Sequence, residues 1–286
     1  MLSAAENVAC RRLVELALEE DLGQAGDVTS HALIPSTATG RATLVARGPG
    51  VLAGLPAAVM VFSVVNAQIK VEPFFEDGSV LAAGSRIAVV EGPTRGILAG
   101  ERVALNFVQH LSGIASLARA FVTAVAGLPV RILDTRKTLP GWRLLEKYAV
   151  RQGGGHNHRM GLYDAILVKD NHLAALPPPG LASPTVQQTL RDTRLPLEIE
   201  VDRLDQLDAA LACHPSIVLL DNMSPDELGQ AARRRKERAP GVLLEASGGI
   251  TLANVRTVAE TGIDRISIGA LTHSAPALDI ALDYDV

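Results

Sequence analysis

Ile217-Val218-Leu219-Leu220-Asp221 is an unbroken apolar run closed by a carboxylate. A strand with one face in water alternates apolar and polar residues, whereas a run that is apolar throughout suits a parallel sheet covered on both faces. The same form recurs at 130–134, 165–169, 197–201, 242–245 and 265–269, each run finishing in a polar or charged residue and followed by a helical stretch. Six such units predict an α/β domain over 109–270. In a β/α barrel the strand ends converge on one mouth, which would gather Asp134, Lys169, Glu200, Asp221, Glu245 and Ser267. A doubly wound open sheet would instead line a crevice with them at a switch point. The regularity of the units favours the barrel.

Upstream the pattern differs. Val8, Leu13, Leu16 and Ala17 recur at helical spacing and predict a first helix over 2–20, ended by the polar stretch 21–27. Runs at 41–47, 69–73, 86–91 and 95–98 are bounded by Gly or Pro and predict strands, the last two flanking Gly92-Pro93-Thr94 as a tight hairpin. An antiparallel sheet with helices is therefore expected over 1–108, with a long helix over 99–126. The apolar tail 274–286 is expected to return to this domain as a helix, and 177–180 to form an exposed Pro-rich loop.

With 286 residues, 48% hydrophobic and 3% aromatic, the chain is a soluble globular protein with room for two cores. Its formal charge of -4 argues against nucleic acid as a partner. Cys10 and Cys213 lie far apart without a metal or redox spacing, which fits a reducing cytoplasm. The apolar stretch 51–65 is broken by Gly54 and Pro56, and the N-terminus lacks the basic and apolar regions of a signal peptide, so neither a membrane span nor a leader is expected.

Against that acidic balance, Arg136, Lys137, Arg151, His158, Arg159 and Lys169 fall close together in the chain. Arg forks grip carboxylate or phosphate in a bidentate manner and Lys supplies a mobile charge, so a local cation cluster predicts a polyanion site. Gly153-Gly154-Gly155 allows a close backbone approach to another group or a ligand. His156, His158 and His172 have no recognised metal spacing and are expected to form hydrogen bonds or contact the anion rather than bind zinc. Glu198 and Glu200, two apart in a strand, face the same way, and Asp221 ends the next strand. Such carboxylates need Lys, Arg or a divalent cation, and oxygen-only donors beside phosphate favour Mg²⁺; pairing of one Glu with Lys137 or Lys169 is the alternative. Glu245-Ala-Ser-Gly-Gly-Ile250, leading to a helix expected near Thr251, and the stretch 267–274 look like phosphate grips at helix N-termini.

Asp134-Thr-Arg-Lys-Thr138, Glu146-Lys-Tyr-Ala-Val-Arg151, Gly153-Gly-Gly155, Asn157-His-Arg159, Val168-Lys-Asp-Asn-His172, Leu220-Asp-Asn222, Glu245-Ala-Ser-Gly-Gly-Ile250 and Gly269-Ala-Leu-Thr-His-Ser274 closely resemble the signature segments of the quinolinate phosphoribosyltransferases. That family is also called the carboxylating nicotinate-nucleotide pyrophosphorylases, and the similarity starts near Glu20-Asp-Leu-Gly23. It implies an N-terminal α/β sandwich domain (1–108, completed by 271–286) and an incomplete six-stranded β/α barrel (109–270). It further implies a cytoplasmic homodimer in which Arg102 enters the other subunit's site. The implied reaction joins quinolinate to phosphoribosyl pyrophosphate with Mg²⁺, giving nicotinate mononucleotide, pyrophosphate and CO2 in NAD biosynthesis. Carried onto this chain, Arg102, Thr135, Arg136, His158 and Arg159 would hold quinolinate. Lys137, Lys169, Glu200 and Asp221 would act in catalysis, the last two at the metal, and Ser247, Gly248, Gly249, Ser267, Gly269 and His273 would hold phosphate.

Two competitors share parts of this pattern. A related pyrophosphorylase family associated with molybdenum transport has the Asp-Thr-Arg-Lys-Thr and Gly-rich segments, but Asn157-His-Arg159 and 168–172 look more like the quinolinate enzymes. A non-catalytic anion sensor would not need the acidic pair Glu200 and Asp221. Leu139, Trp142, Gln152 and Asp202 depart from the commonest family pattern without removing a proposed contact.

Overall fold

The computed structural model describes residues 1–285. The chain packs as two compact units: Met1–Arg119, Lys137–Gly154 and the segment from Ala270 onward form one, and Ala120–Arg136 with Gly155–Gly269 form the other. This division differs from the expected 1–108 and 109–270, because 137–154 packs with the N-terminal part. The expected C-terminal completion, 271–286, reaches Val286, which lies outside the described residues.

The first unit opens with α1 (Ala4–Leu22), started by a capping box in which Ser3 and Glu6 each accept the other's backbone N–H. The buried stripe is Cys10, Val14 and Leu18, whereas Val8 and Leu16 are 74% and 60% exposed. The expected apolar face was thus misplaced: the stripe runs at a spacing of four, continuing from Glu6, whose carboxylate pairs with Arg151 at 2.6 Å. After α2 (Val28–Leu33) come β1 (Thr39–Ala46), β2 (Gly50–Val51), α3 (Leu55–Val65), β3 (Lys70–Pro73), β4 (Val80–Leu81) and β5 (Arg86–Pro93). The expected strand at 95–98 is instead the first turn of α4 (Thr94–Ala124). Gly92-Pro93 ends β5, Ile97 is fully buried, and Arg95 donates through Nε to the Ile34 carbonyl at 2.7 Å, so this turn is packed as helix.

Six strands with intervening helices follow: β6 (Arg131–Leu133), α5 (Arg143–Gln152), β7 (Ile166–Val168), α6 (Asp170–Ala175), α7 (Pro184–Asp192), β8 (Leu197–Val201), α8 (Leu204–Ala212), β9 (Ile217–Asp221), α9 (Pro225–Arg238), β10 (Leu243–Ser247), α10 (Val255–Ala259), β11 (Arg265–Ser267) and α11 (Ala270–His273). The chain then ends on β12 (Ile280–Tyr284), a strand where a helix was expected. Its Ile-Ala-Leu-Asp-Tyr alternation has the period of two that suits a sheet, and it pairs antiparallel with β1, Ala46 opposite Ile280 and Leu44 opposite Leu282. The first unit's main sheet has the order β12-β1-β5-β3, and Leu44, Ala46, Leu52, Leu81, Ile87, Leu105 and Ile280 share its core.

The helix α5 belongs to this unit and explains the glycine triplet in part. A Cβ at Gly153 would lie 2.3 Å from the Ala115 carbonyl oxygen, so the triplet permits close packing against α4 rather than a ligand. Within α5, Glu146 and Lys147 are fully buried. Glu146 accepts the Leu139 N–H at 3.2 Å and meets His110 Nε2 at 3.0 Å, while Trp142 stacks on Phe107 with centroids 4.8 Å apart. The stretch between β6 and α5 is thereby anchored to the N-terminal part, the reason 137–154 does not pack with the parallel strands.

The second unit's sheet has the order β6-β11-β10-β9-β8-β7, all parallel. Consecutive strands are neighbours from β7 to β11, and the first strand pairs with the last. This is the cyclic order of a barrel open between β6 and β7, with no reversal of strand order such as a doubly wound sheet requires. The free edge of β6 is partly covered: His156 donates its N–H to the Ile132 carbonyl at 2.8 Å, and Asp134 donates to His156 at 3.1 Å, forming a parallel bridge.

Candidate active site

In a parallel ladder, paired residues point to the same face, and the face alternates along each strand. Leu167 pairs with Glu198, Glu198 with Ile217, Glu200 with Leu219, Leu219 with Glu245, Asp221 with Ser247, Glu245 with Arg265 and Ser247 with Ser267. One face of the sheet therefore carries Glu198, Glu245 and Arg265, and, nearer the strand ends, Glu200, Asp221, Ser247 and Ser267. The shared face anticipated for Glu198 and Glu200 is the one that also bears Asp221.

Asp134, just past β6, is fully buried and organises the cation pocket. Its Oδ1 accepts the His158 N–H at 2.9 Å and its Oδ2 accepts from the Asn157 side-chain amide at 2.5 Å. Arg159 follows and donates through its guanidinium to the Ala165 carbonyl at 3.2 Å. Burial first, then the charge of Arg136, lowers the Arg159 pKa, with Glu198 and Asp164 acting against them. Thr135 is half-buried beside Arg136 in the chain.

Asp164 clamps the turn after Arg159, accepting the Met160 and Gly161 N–H groups at 2.7 and 3.0 Å. Burial raises its pKa, but those N–H groups and Arg159 outweigh it and hold the carboxyl below the usual range. A depressed folded pKa adds stability that is present above the unfolded value and lost as pH falls through the folded one. Hydrogen-exchange protection of the Met160 and Gly161 amides is therefore expected to hold at neutral pH and to collapse below about pH 4. Protection unchanged down to pH 2 would remove Asp164 from this role.

His158 is the most enclosed member. Its Nε2 lies 3.1 Å from a Glu198 oxygen and 3.2 Å from a Glu245 oxygen, and Arg265 Nε lies 2.7 Å from the other Glu245 oxygen; both glutamates and the ring are buried. Burial disfavours the charged ring, yet its contacts with the Glu198 and Glu245 carboxylates prevail and push its pKa up to about 9. Burial likewise favours a neutral Glu245, but His158 foremost, with Arg265 and the Ser267 hydroxyl, holds its carboxyl below the usual range. The Arg159 N–H meets Nδ1 at 2.8 Å, an acceptor contact open only to a ring without a proton there. Charge balance favours the protonated ring, so the two compete. The three donor atoms lie within 4.8 Å of one another, as metal ligands would. With Arg265 and a charged ring against two carboxylates, however, the cluster is already neutral, and a divalent cation would unbalance it.

Across the same face, Lys169 Nζ sits 2.5 Å from Glu200 Oε2, the pairing anticipated as the alternative to a metal. Asp221 is half-buried and accepts from the Asn222 side chain at 2.7 Å. Ser247 leads into Gly248 (φ 88) and Gly249 (φ 62), both left-handed. A Cβ at Gly248 would lie 2.1 Å from Asn222 Oδ1, so glycine is required there by space as well as by conformation. The helix expected near Thr251 begins only at Val255. The Thr251 carbonyl already accepts the Val255 N–H at 2.9 Å, so the helical hydrogen bonds begin at the expected residue.

Other expected residues fall differently. Ser267 is buried on the same sheet face as Glu245 and is among the groups that lower the Glu245 pKa. Arg151 reaches Glu6 and lies over the Tyr148 ring, so it leaves the cation cluster. His172 accepts the Lys169 N–H at 3.0 Å. Lys137, Arg102 and His273 are exposed and belong to the first unit, where the Lys137 carbonyl accepts the Thr272 hydroxyl at 2.7 Å; Gly269, half-buried, closes the second unit. Sequence reasoning paired Glu198 with Glu200 but not with His158, and it overlooked Asp164 and Arg265. The available signal was a charged residue at an inward position of an otherwise apolar strand, as at Glu198 and Arg265.

Two family models match nearly the whole chain: the quinolinate phosphoribosyl transferase N-terminal domain over 27–112 and its C-terminal domain over 114–283. The chain is 46% identical to the nicotinate-nucleotide pyrophosphorylase [carboxylating] of Mycobacterium leprae, covering 99% of this chain and 100% of that one. It is 40% identical to quinolinate phosphoribosyltransferase [decarboxylating] 1 of Nicotiana glauca, covering 96% and 81%. Among solved structures, the nicotinate-nucleotide pyrophosphorylase of Francisella tularensis superposes with a TM-score of 0.91 at 36% identity, covering 98% of this chain and 97% of that one.

Proposed function

Since the chain belongs to the quinolinate phosphoribosyltransferase family, we propose that it converts quinolinate and phosphoribosyl pyrophosphate to nicotinate mononucleotide, pyrophosphate and CO2. What supports this reading is the family membership together with Arg136 and Arg159, close enough for the charge of the first to lower the pKa of the second, and the carboxylates Glu200 and Asp221 on one face of the parallel sheet. A ring with two adjacent carboxylates matches a pair of guanidinium forks.

The chain's own residues account for most of the chemistry. Arg136 and Arg159 orient the pyridine so that its nitrogen lone pair forms the bond to the ribose anomeric carbon as the bond to pyrophosphate breaks. Glu200 and Asp221 face the positive charge that develops on the ribose, and Lys169 draws charge onto the departing phosphates. The alkylated ring nitrogen then accepts the electron pair released as the C2 carboxylate leaves as CO2, and a proton replaces it at C2. The turn of Ser247, Gly248 and Gly249, with Gly269, offers backbone and side-chain donors to phosphate.

Glu200 and Asp221 fit Mg²⁺ by donor chemistry. Both are carboxylates on one face, and Mg²⁺ is held by one or two carboxylates together with substrate phosphates rather than by a full protein cage. When bound, the ion supplies charge neutralisation of the pyrophosphate. Arg102 is exposed on α4 and makes no ion pair among the described residues, which supports its use by a second copy in a homodimer. Among the described residues no helix is long and apolar enough to cross a membrane, and the reading places the enzyme in the cytoplasm.

The test is product formation from quinolinate, phosphoribosyl pyrophosphate and Mg²⁺. Nicotinate mononucleotide and CO2 are expected only with all three present, and not with Arg136→Ala or after chelation. Mixing Arg102→Ala with Arg136→Ala is expected to restore activity by re-forming one intact site across the dimer. No product from the unmodified chain would overturn the reading.

A further inference from the structure

We propose that Glu198 and Glu245 are positioning residues of this enzyme, holding His158 from the barrel interior so that the ring shapes the quinolinate pocket without giving its Nε2 to the substrate. The inference rests on the proposed function and deepens it. Nε2 is already engaged by two buried carboxylates, at 3.1 and 3.2 Å, and Glu245 is backed at 2.7 Å by Arg265. A ligand carboxylate could take this nitrogen only by displacing a buried glutamate and leaving it without its partner, which is costly.

Glu198 also attracts Arg159. One carboxylate therefore steadies two consecutive residues of the pocket, while Asp134 holds the intervening backbone through the His158 N–H. The parallel register explains the placement. Glu198 and Glu245 sit on the same sheet face as Glu200 and Ser247 but two residues earlier on their strands, so they lie beneath the strand ends where substrate is handled.

Glu198→Gln and Glu245→Gln preserve shape and remove charge. Each is expected to raise the KM for quinolinate about tenfold, as the loss of a charge-assisted hydrogen bond does, while leaving the KM for phosphoribosyl pyrophosphate unchanged. A general structural defect would move both constants or the folded fraction. A folded, active variant with an unchanged quinolinate KM would overturn the inference and leave the proposed function intact, since the unmodified chain is assayed alongside. A second measurement does not depend on the variants folding. In the unmodified protein with ¹⁵N-labelled histidine, the His158 Nε2 resonance is expected to stay in place when quinolinate saturates the site. A large shift of that resonance would mean that the ring exchanges its glutamates for substrate, and would overturn the inference.

Discussion

Arg159→Ala is expected to lower kcat/KM for quinolinate about a hundredfold while leaving the unliganded protein at least as stable as before. The first half follows from the fork: a guanidinium on a carboxylate makes two charge-assisted hydrogen bonds, and losing them costs about 3 kcal/mol, or two powers of ten. The second half follows from the electrostatics of the empty pocket. Burial and Arg136 both depress the Arg159 pKa, so the folded protein holds this charge at a cost that the substrate offsets. Arg159→Lys should recover little, because an ammonium cannot reproduce the fork. Steady-state kinetics with each substrate varied in turn, beside thermal unfolding, reads both halves. A variant that loses stability but keeps its quinolinate KM would show Arg159 to be a structural cation.

Asp134→Ala should have the largest effect on folding. The carboxylate is fully buried and accepts from the His158 backbone and from the Asn157 side chain. Removing it strands two donors beside the cation pocket, and at about 1–3 kcal/mol for each unsatisfied group the loss should reach roughly 3–5 kcal/mol. Urea unfolding would read it as a lower midpoint at an unchanged slope. Asp134→Asn keeps one acceptor and should lose about half as much. Stability within 1 kcal/mol of the parent in the alanine variant would contradict the idea that this residue locks the bridge between β6 and His156.

The two halves of the chain differed in how readily they could be read. The parallel strands were legible because burial on both faces favours long apolar runs such as 165–168 and 217–220, and such runs leave few other interpretations. The first unit was harder. Arg95-Gly-Ile-Leu98 has the composition of a strand, yet it is helix because Ile97 is buried and Arg95 reaches the Ile34 carbonyl, a contact distant in sequence. The face of α1 was misjudged for a similar reason: Val8 and Leu16 are as apolar as Val14 and Leu18, and only the packing partner decides which pair is covered. At the site, Arg136, Arg159, Lys169, Glu200 and Asp221 were recognisable as charges at strand ends, whereas the Glu245 partners His158 and Arg265 come from separate segments and meet only once the strands are in register.

By itself, then, the sequence determined the residue types and their spacing: six strand-like runs, four of them ending in charge, a local excess of cations in an acidic chain, glycines where side chains do not fit, and the family these segments resemble. Tertiary structure decided which charges neutralise one another. It sent Arg151 to Glu6 and enclosed His158 between two glutamates. The physical reason is that local pattern encodes periodicity and propensity, which act over a few residues, while the energy of a buried charge depends on every group around it, and those groups are brought together only by the closed order of the strands.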